Sequence, residues 1–582
     1  MPSLLALALV KASAKTPEAF LGELSAATAS VDRKALEALF QDPARDCPYL
    51  FEMAASRGGM GKVQVCLLPS PPGWKGYGRL WAVFHTKQMI EEGHDPVYRV
   101  DDTPNGLRLG REIPEDDLAG WRIKRASYRA ELDPARSAIN VQADVSLTGG
   151  GPRALPFRVN DFYRFGSGTA EETQTSFVLP RAGQLVRAGS LLIPWTARPA
   201  KQYRFAYSGT LPSGPDDEIV KNAAYVTAWW LPSLGRLPFT VESTVEGPEN
   251  WMTRAEGVPL GSWRRNGKRV SKFACDLPIS FPKIVAGEYV AAAKDRSFAI
   301  YQLAPLNVPA AQRDLIATKE AAAFYESTLC PLPFKGYECY EADKFYGIES
   351  YSHTLLQRDV THFISHEMGH SYFGGYVPCT YVHDSWNEGV TQYFDSVLYQ
   401  HDKDRTLEYG LRTLQIRVPL SQMAVPWANG SATYWRGAYV MKMLEDEIGL
   451  PAVLRACRAM VMERRGIDTR WADLRPYFER AAKTDLGWFW RQWIESAQFP
   501  TLEIQSSQVN PSGAGFRSVV RVVQSGTPAP YRLRFALNVG ETTKSVTMDR
   551  NVQVFAVQSI KKPHNFSIEI LPFTLAKVLQ KS

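Results

Sequence analysis

The sequence predicts a multidomain chain: an N-terminal all-β region, a central α+β domain that carries the chemistry, and a C-terminal β-sandwich. Three observations lead there. The chain has 582 residues, too many for one hydrophobic core. Short alternating apolar and polar runs, broken by Gly, Pro and Asn, fill residues 46 to 270 and return after 500. Between them lies a block where strands give way to helical periodicity.

Taken in order, residues 1–45 read as a helical lead-in. Ala19, Phe20, Leu24, Leu36, Leu39 and Phe40 fall at helical spacing, and Asp42-Pro43 ends the pattern. Residues 46–125 and 126–270 read as two β units, with strands such as Lys62 to Leu68, Ala130 to Leu132, Ile139 to Leu147 and Phe239 to Glu246. In residues 271–500 a strand (Phe298 to Leu303), a long helix (Ala310 to Leu329) and a second strand (Gly336 to Glu341) lead into helices that continue to about 497. Residues 501–582 return to strands: Leu502 to Ser506, Arg517 to Val523, Tyr531 to Asn538 and Val552 to Val557.

Composition excludes several function classes. Hydrophobic residues make up 45% and charged residues 22%, so the chain has the apolar content a folded core needs. A net charge of +7, with no block of like charges, leaves no nucleic-acid footprint. The longest early apolar run, Leu4 to Val10, is far short of a membrane span. Followed by Ala12-Ser13-Ala14, it reads either as a clipped leader, placing the protein in the periplasm or outside the cell, or as a plain helix, leaving it cytoplasmic. Seven cysteines are scattered; Cys330 and Cys339 are near enough in sequence to pair, although free buried thiols are the simpler reading.

The chemistry concentrates where His is scarce. Two of only nine histidines stand in His366-Glu367-Met368-Gly369-His370, inside a helical pattern from about Val360 to Phe373. On a helix, positions i and i+4 share a face about 6 Å apart, so both imidazoles can converge on one ion with Glu367 beside it. A hydrolytic zinc takes three protein ligands and keeps one position open for water. The third ligand is expected downstream at Glu388, which opens a second helix running through Leu398; His383 and Asp384 are nearer but not on that helix. Thr391 and Asp395, at +3 and +7 from Glu388, are placed to accept a hydrogen bond from a ligand imidazole. His362, one turn before His366, lies about 12 Å along the axis from His370, too far to share the ion, and reads as a rim residue.

These motifs carry a family resemblance. His366 to His370, Trp386-Asn387-Glu388-Gly389 and Tyr434-Trp435-Arg436-Gly437-Ala438 look like the gluzincin zinc peptidases related to aminopeptidase N and leukotriene hydrolase. Gly347-Ile348-Glu349-Ser350 and the segment Leu486 to Pro500 extend the likeness more weakly over about 270 to 500. The resemblance implies a thermolysin-like catalytic domain at 271–500, a β domain of aminopeptidase N type at 126–270, and one zinc ion held by His366, His370 and Glu388. It further implies a peptide substrate, Glu367 as the base, Tyr434 as the donor to the tetrahedral oxyanion, and Gly347 and Glu349 in substrate binding, with Glu349 on the free α-amine.

Two features depart from the family. Seventeen residues, 371 to 387, separate the second His from the Glu where the family has eighteen, a change that Gly374 and Gly375 can absorb. The Gly-Ile-Glu-Ser element is shorter than the Gly-x-Met-Glu-Asn of aminopeptidase N and closer to the glycyl aminopeptidase form. The leading expectation is therefore an aminopeptidase. An endopeptidase on the same zinc site and a silent peptide-binding scaffold are the alternatives, and the intact catalytic set argues against the scaffold. Strand addition of substrate is expected on Gly336 to Glu341 or on the Gly347 segment.

Overall fold

In the computed structural model, residues 16–579 are described except for 44–46, 48–49, 52–53, 55–62, 70–79, 86–95, 114–119, 151–154, 161, 171–172, 176–184, 189–190, 195–199, 214–216, 228, 343–346, 359–360, 382, 425–430 and 572–573. The apolar run Leu4 to Val10 lies outside the described residues. Among them, no helix is long and apolar enough to cross a membrane.

The lead-in forms helices Pro17–Ser30 and Arg33–Glu37, each started by a side-chain cap: Thr16 accepts from the Ala19 amide and Asp32 from the Ala35 amide. Their apolar faces do not stand alone. Phe20, Leu24, Leu36 and Phe40 share one core with Ala82, Phe84, Tyr98 and Leu109 of a four-stranded antiparallel sheet spanning Gln64–Pro69, Leu80–His85, Val97–Thr103 and Gly106–Glu112. The helices and the first β region thus bury a common interface.

An eight-stranded sheet follows. Arg122–Asp133 and Ala138–Thr148 form a long antiparallel pair whose apolar residues alternate into a core built around Tyr128, Val141, Phe157, Phe205 and Trp230. Phe239–Pro248 joins the same sheet parallel to Arg122–Asp133, and the hairpin of Val258–Arg265 with Lys268–Ile279 ends it.

The domain expected to carry the chemistry is built on a five-stranded sheet. Its strands are β1 (Val290–Asp295), β2 (Phe298–Gln302), β3 (Tyr337–Ala342), β4 (Gly347–Ser350) and β5 (His353–Gln357), in the order β1-β2-β3-β5-β4. Helix α1 (Val308–Thr328) crosses from β2 to the parallel strand β3, started by Asn307, whose side chain accepts from the Ala310 amide. Strand β3 is interior, flanked by β2 and β5, so it has no edge to offer a substrate. The Gly347–Ser350 strand is the edge. Of the two strands expected for backbone addition, only β4 is available.

By compactness the chain divides into two units. One comprises Met1–Asn387 with Met423–Asn429 and Cys457–Arg470; the other comprises Glu388–Gln422, Gly430–Ala456 and Trp471–Ser582. The second unit contains the helix Ala432–Ile448 and, at its C-terminal end, two sheets of four and three strands within Thr501–Leu579. Arg436, buried in this unit, donates to the carbonyl oxygens of Thr413, Ile416 and Val418 and so fixes the loop that precedes its helix. All seven cysteines are free thiols, Cys330 and Cys339 included.

Candidate metal centre

The helix that carries the two histidines is shorter than the sequence pattern suggests. A 3-10 turn, Thr361–Phe363, leads into α2 (Ile364–Gly369), and His370 already caps the end. Beyond it the chain closes in wide turns: the Gly375 amide bonds the His370 carbonyl at 2.8 Å, Tyr376 bonds Ser371 at 2.9 Å and Val377 bonds Tyr372 at 3.0 Å. Gly374 sits at φ 141°, and a Cβ on Gly375 would fall 3.0 Å from the Ser371 carbonyl carbon. Only glycine fits this turn at low cost, which is why the helical pattern stops short of Phe373. All six residues of α2 are buried, and Tyr372, just beyond it, stacks on Tyr325 of α1 with ring centroids 5.4 Å apart.

The imidazoles of His366 and His370 face each other with their Nε2 atoms 3.2 Å apart. Nδ1 of His370 lies 3.1 Å from the Phe373 carbonyl oxygen, which can only accept, so the proton sits on Nδ1 and Nε2 presents its lone pair. Glu388 belongs to α3 (Trp386–Gln392), whose first amide is capped by Asp384 at 3.3 Å. Ligand atoms of His366, His370 and Glu388 all lie within 4.8 Å of one another, and all three residues are buried. Asn387, the preceding residue in the same helical turn, lies against the His370 ring, its Nδ2 3.4 Å from Nδ1; with the proton on Nδ1 this is packing of two donors and not a hydrogen bond.

This donor set suits a zinc ion. Two neutral imidazoles and a carboxylate are its usual nitrogen and oxygen ligands. A nitrogen pair 3.2 Å apart is close to the roughly 3.3 Å edge of a tetrahedron with zinc–nitrogen bonds of about 2.0–2.1 Å.

The other expected residues fall as follows. Glu367 is buried, with its carboxyl group against the backbone of Gly347 on the edge strand β4. Glu349, on the same strand, is 7% exposed; it accepts from the Tyr381 hydroxyl at 3.4 Å, and its backbone carbonyl accepts from Lys283. Tyr434 stands half-buried in the first turn of α4 (Ala432–Ile448). One turn on, Gly437 packs directly on Gly389 of α3, so the helices bearing Glu388 and Tyr434 cross at two glycines. Thr391 is fully buried. Asp395 lies past the end of α3 in a π-helical stretch, Tyr393–Tyr399, where its carboxylate accepts from Gln400 at 2.9 Å. His362 is exposed, its ring against Phe363 at 4.2 Å. Asp384 serves as the cap rather than joining the cluster.

Sequence reasoning missed the groups that hold these side chains. The acceptor for His370 is the Phe373 carbonyl, invisible in a pattern of side chains. Tyr381, Lys283 and Glu256 come from loops and from the β region. Glu256 is buried and accepts from the hydroxyls of Ser350 and Ser352 at the end of β4; burial pushes its carboxyl pKa up, against the pull of Lys283. Only Asn387, adjacent to Glu388 in a recognised segment, carried a local signal.

The fold is shared with a solved aminopeptidase and a solved zinc metallopeptidase. Aminopeptidase A of Legionella pneumophila, solved with aspartic acid, superposes with a TM-score of 0.67 at 14% identity, over 81% of this chain and 61% of that one. The M1 zinc metallopeptidase of Deinococcus radiodurans gives 0.54 at 15% identity, over 64% of this chain and 93% of that one, and its E323A mutant gives 0.55. This chain thus spans about three-fifths of the Legionella enzyme's length. No protein-family model and no curated protein matches the sequence.

Proposed function

We propose that this protein is a zinc-dependent peptidase, and specifically an aminopeptidase that removes N-terminal residues from peptides. The observation that carries the proposal is the convergence of His366, His370 and Glu388 with Glu367 beside them. The shared fold of enzymes named aminopeptidase A and M1 zinc metallopeptidase supports it. A zinc ion held by the three ligands would polarise the scissile carbonyl and lower the pKa of an attacking water.

The remaining work falls to the chain. Glu367 accepts the proton of the water as its oxygen bonds to the carbonyl carbon, then delivers that proton to the nitrogen as the C–N bond breaks. Burial keeps competing solvent away from its carboxylate. Tyr434 donates a hydrogen bond from its hydroxyl to the oxyanion of the tetrahedral species and keeps its proton. Strand β4 pairs with the extended peptide backbone, and Glu349 on that strand binds the free α-ammonium, setting the cut one residue from the N-terminus.

The test incubates the purified protein with zinc and a panel of aminoacyl coumarin amides, alongside N-acetylated peptides of matched sequence. Cleavage of the free-amine substrates alone is the expected result. Cleavage of blocked peptides would instead make the enzyme an endopeptidase, and turnover of neither would make it a scaffold. A Glu367→Gln variant that kept full activity would overturn the mechanism.

A further inference from the structure

Glu349 is not held by its own strand alone. The Tyr381 hydroxyl donates to Glu349 Oε1 at 3.4 Å and accepts from Asn387 Nδ2 at 2.5 Å; the same Nδ2 lies 3.4 Å from Nδ1 of His370. One phenol therefore links the carboxylate of the edge strand to Asn387, in the helix turn that carries Glu388. Glu349, Tyr381, Asn387 and His370 are all buried, so the chain of contacts is shielded from solvent.

Tyr381 is itself clamped. Its backbone takes φ 52°, a left-handed conformation that a bulky residue adopts only when its surroundings hold it there. The buried guanidinium of Arg236 lies 5.3 Å from its ring centroid and bonds its carbonyl at 3.4 Å, and Phe281 packs at 6.3 Å. Arg236 also sits over Phe281 at 4.6 Å and Trp229 at 5.3 Å, so the cation is boxed by three aromatic rings. A rotamer fixed this firmly has one hydroxyl direction to offer.

We infer that Tyr381 is a positioning residue for Glu349: by tying its carboxylate to Asn387, it sets the spacing between the α-amine site and the metal site, and with it the preference for a free N-terminus. This rests on the aminopeptidase reading. An untethered Glu349 would still be a carboxylate, but its distance from the scissile bond would no longer be set by the helix turn that carries Glu388.

The test is a double-mutant cycle of Tyr381→Phe and Glu349→Gln in the full-length zinc-loaded protein. Phenylalanine keeps the ring and its contact with Arg236 and removes only the hydroxyl. Both variants are read as kcat and KM on leucyl coumarin amide, as the Kd of leucine amide by calorimetry, and as bound zinc. The expected result for Tyr381→Phe is an about tenfold rise in KM and in Kd, with kcat and zinc content little changed. In the Glu349→Gln background Tyr381→Phe should cost nothing further, because the effect runs through that carboxylate. Additive losses, or an unchanged KM and Kd in Tyr381→Phe, overturn the role of Tyr381 and leave the aminopeptidase reading standing. A wild-type protein that neither cleaves the coumarin amide nor binds leucine amide overturns both.

Discussion

Gly347 and Glu367 touch across the gap between the edge strand and the helix of the metal centre: a methyl group built on Gly347 would lie 2.7 Å from the carboxyl carbon of Glu367 and 3.1 Å from its Cγ. The missing side chain at 347 is the space the Glu367 carboxylate occupies. Gly347→Ala should therefore push that carboxylate aside and leave the ligands in place. A displacement of about 1 Å in a catalytic group costs on the order of 10²-fold. Turnover is expected to fall 10- to 100-fold with zinc stoichiometry unchanged, measured by steady-state kinetics and metal analysis; wild-type turnover would show that the strand does not hold the base.

The crossing of α3 and α4 is a second close approach. A Cβ on Gly389 would fall 2.7 Å from the Gly437 Cα, 3.1 Å from the Thr433 carbonyl oxygen and 3.2 Å from the Trp471 ring. Two of these obstacles are backbone and cannot swing away. Gly389→Ala should destabilise the protein by about 1–3 kcal/mol, the usual cost of overpacking, read as a lower urea midpoint.

Tyr434 occupies the first turn of α4 and is half-buried, so loss of its hydroxyl leaves the helix packing intact. Tyr434→Phe is expected to lower kcat by roughly 10²–10³-fold, the magnitude for one oxyanion donor, with the urea midpoint and zinc content retained. A fall under threefold would remove Tyr434 from the mechanism.

His353 makes stability depend on pH. It is fully buried on strand β5, and burial, with Arg254 and Lys283 nearby, drives its pKa well below the usual histidine value. In the folded protein it stays neutral, whereas the unfolded chain takes up a proton below about pH 6.5. The unfolded state then binds more protons, so stability present above about 6.5 is lost as the pH falls, by up to about 1.4 kcal/mol per pH unit from this group. Glu256, whose pKa burial raises, works the other way, binding a proton in the folded state before the unfolded chain does. Replacing His353 isolates its share: urea unfolding of His353→Gln at pH 7.5, 6.5 and 5.5 should show a pH slope shallower by about one proton. An identical slope would mean that His353 titrates normally.

Much of the fold is legible in the order of the residues. The strand Ala138–Thr148 and the helix Val308–Thr328 emerge near their expected positions, because each buries one face and so writes a period of two or of 3.6 into the sequence; Arg122–Asp133 is longer than the expected Ala130 to Leu132 and runs through the boundary expected near 125. Short-range pattern failed where the backbone departs from regular geometry. The wide turn at Gly374 and Gly375 ended the histidine helix early, and the second helix runs on past Gln392 as a π-helical stretch rather than a regular α-helix.

The sequence by itself determined which residues could serve a metal: two imidazoles one helical turn apart and a carboxylate opening the next helix, since ligand chemistry and helical spacing are local properties. Tertiary structure alone decided that β4 and not β3 is the open edge, that Gly347 makes room for Glu367, and that Tyr381 reaches Glu349, 32 positions earlier in the chain. Strand order and side-chain contacts between distant segments arise from packing the whole core, and no short stretch of sequence encodes them.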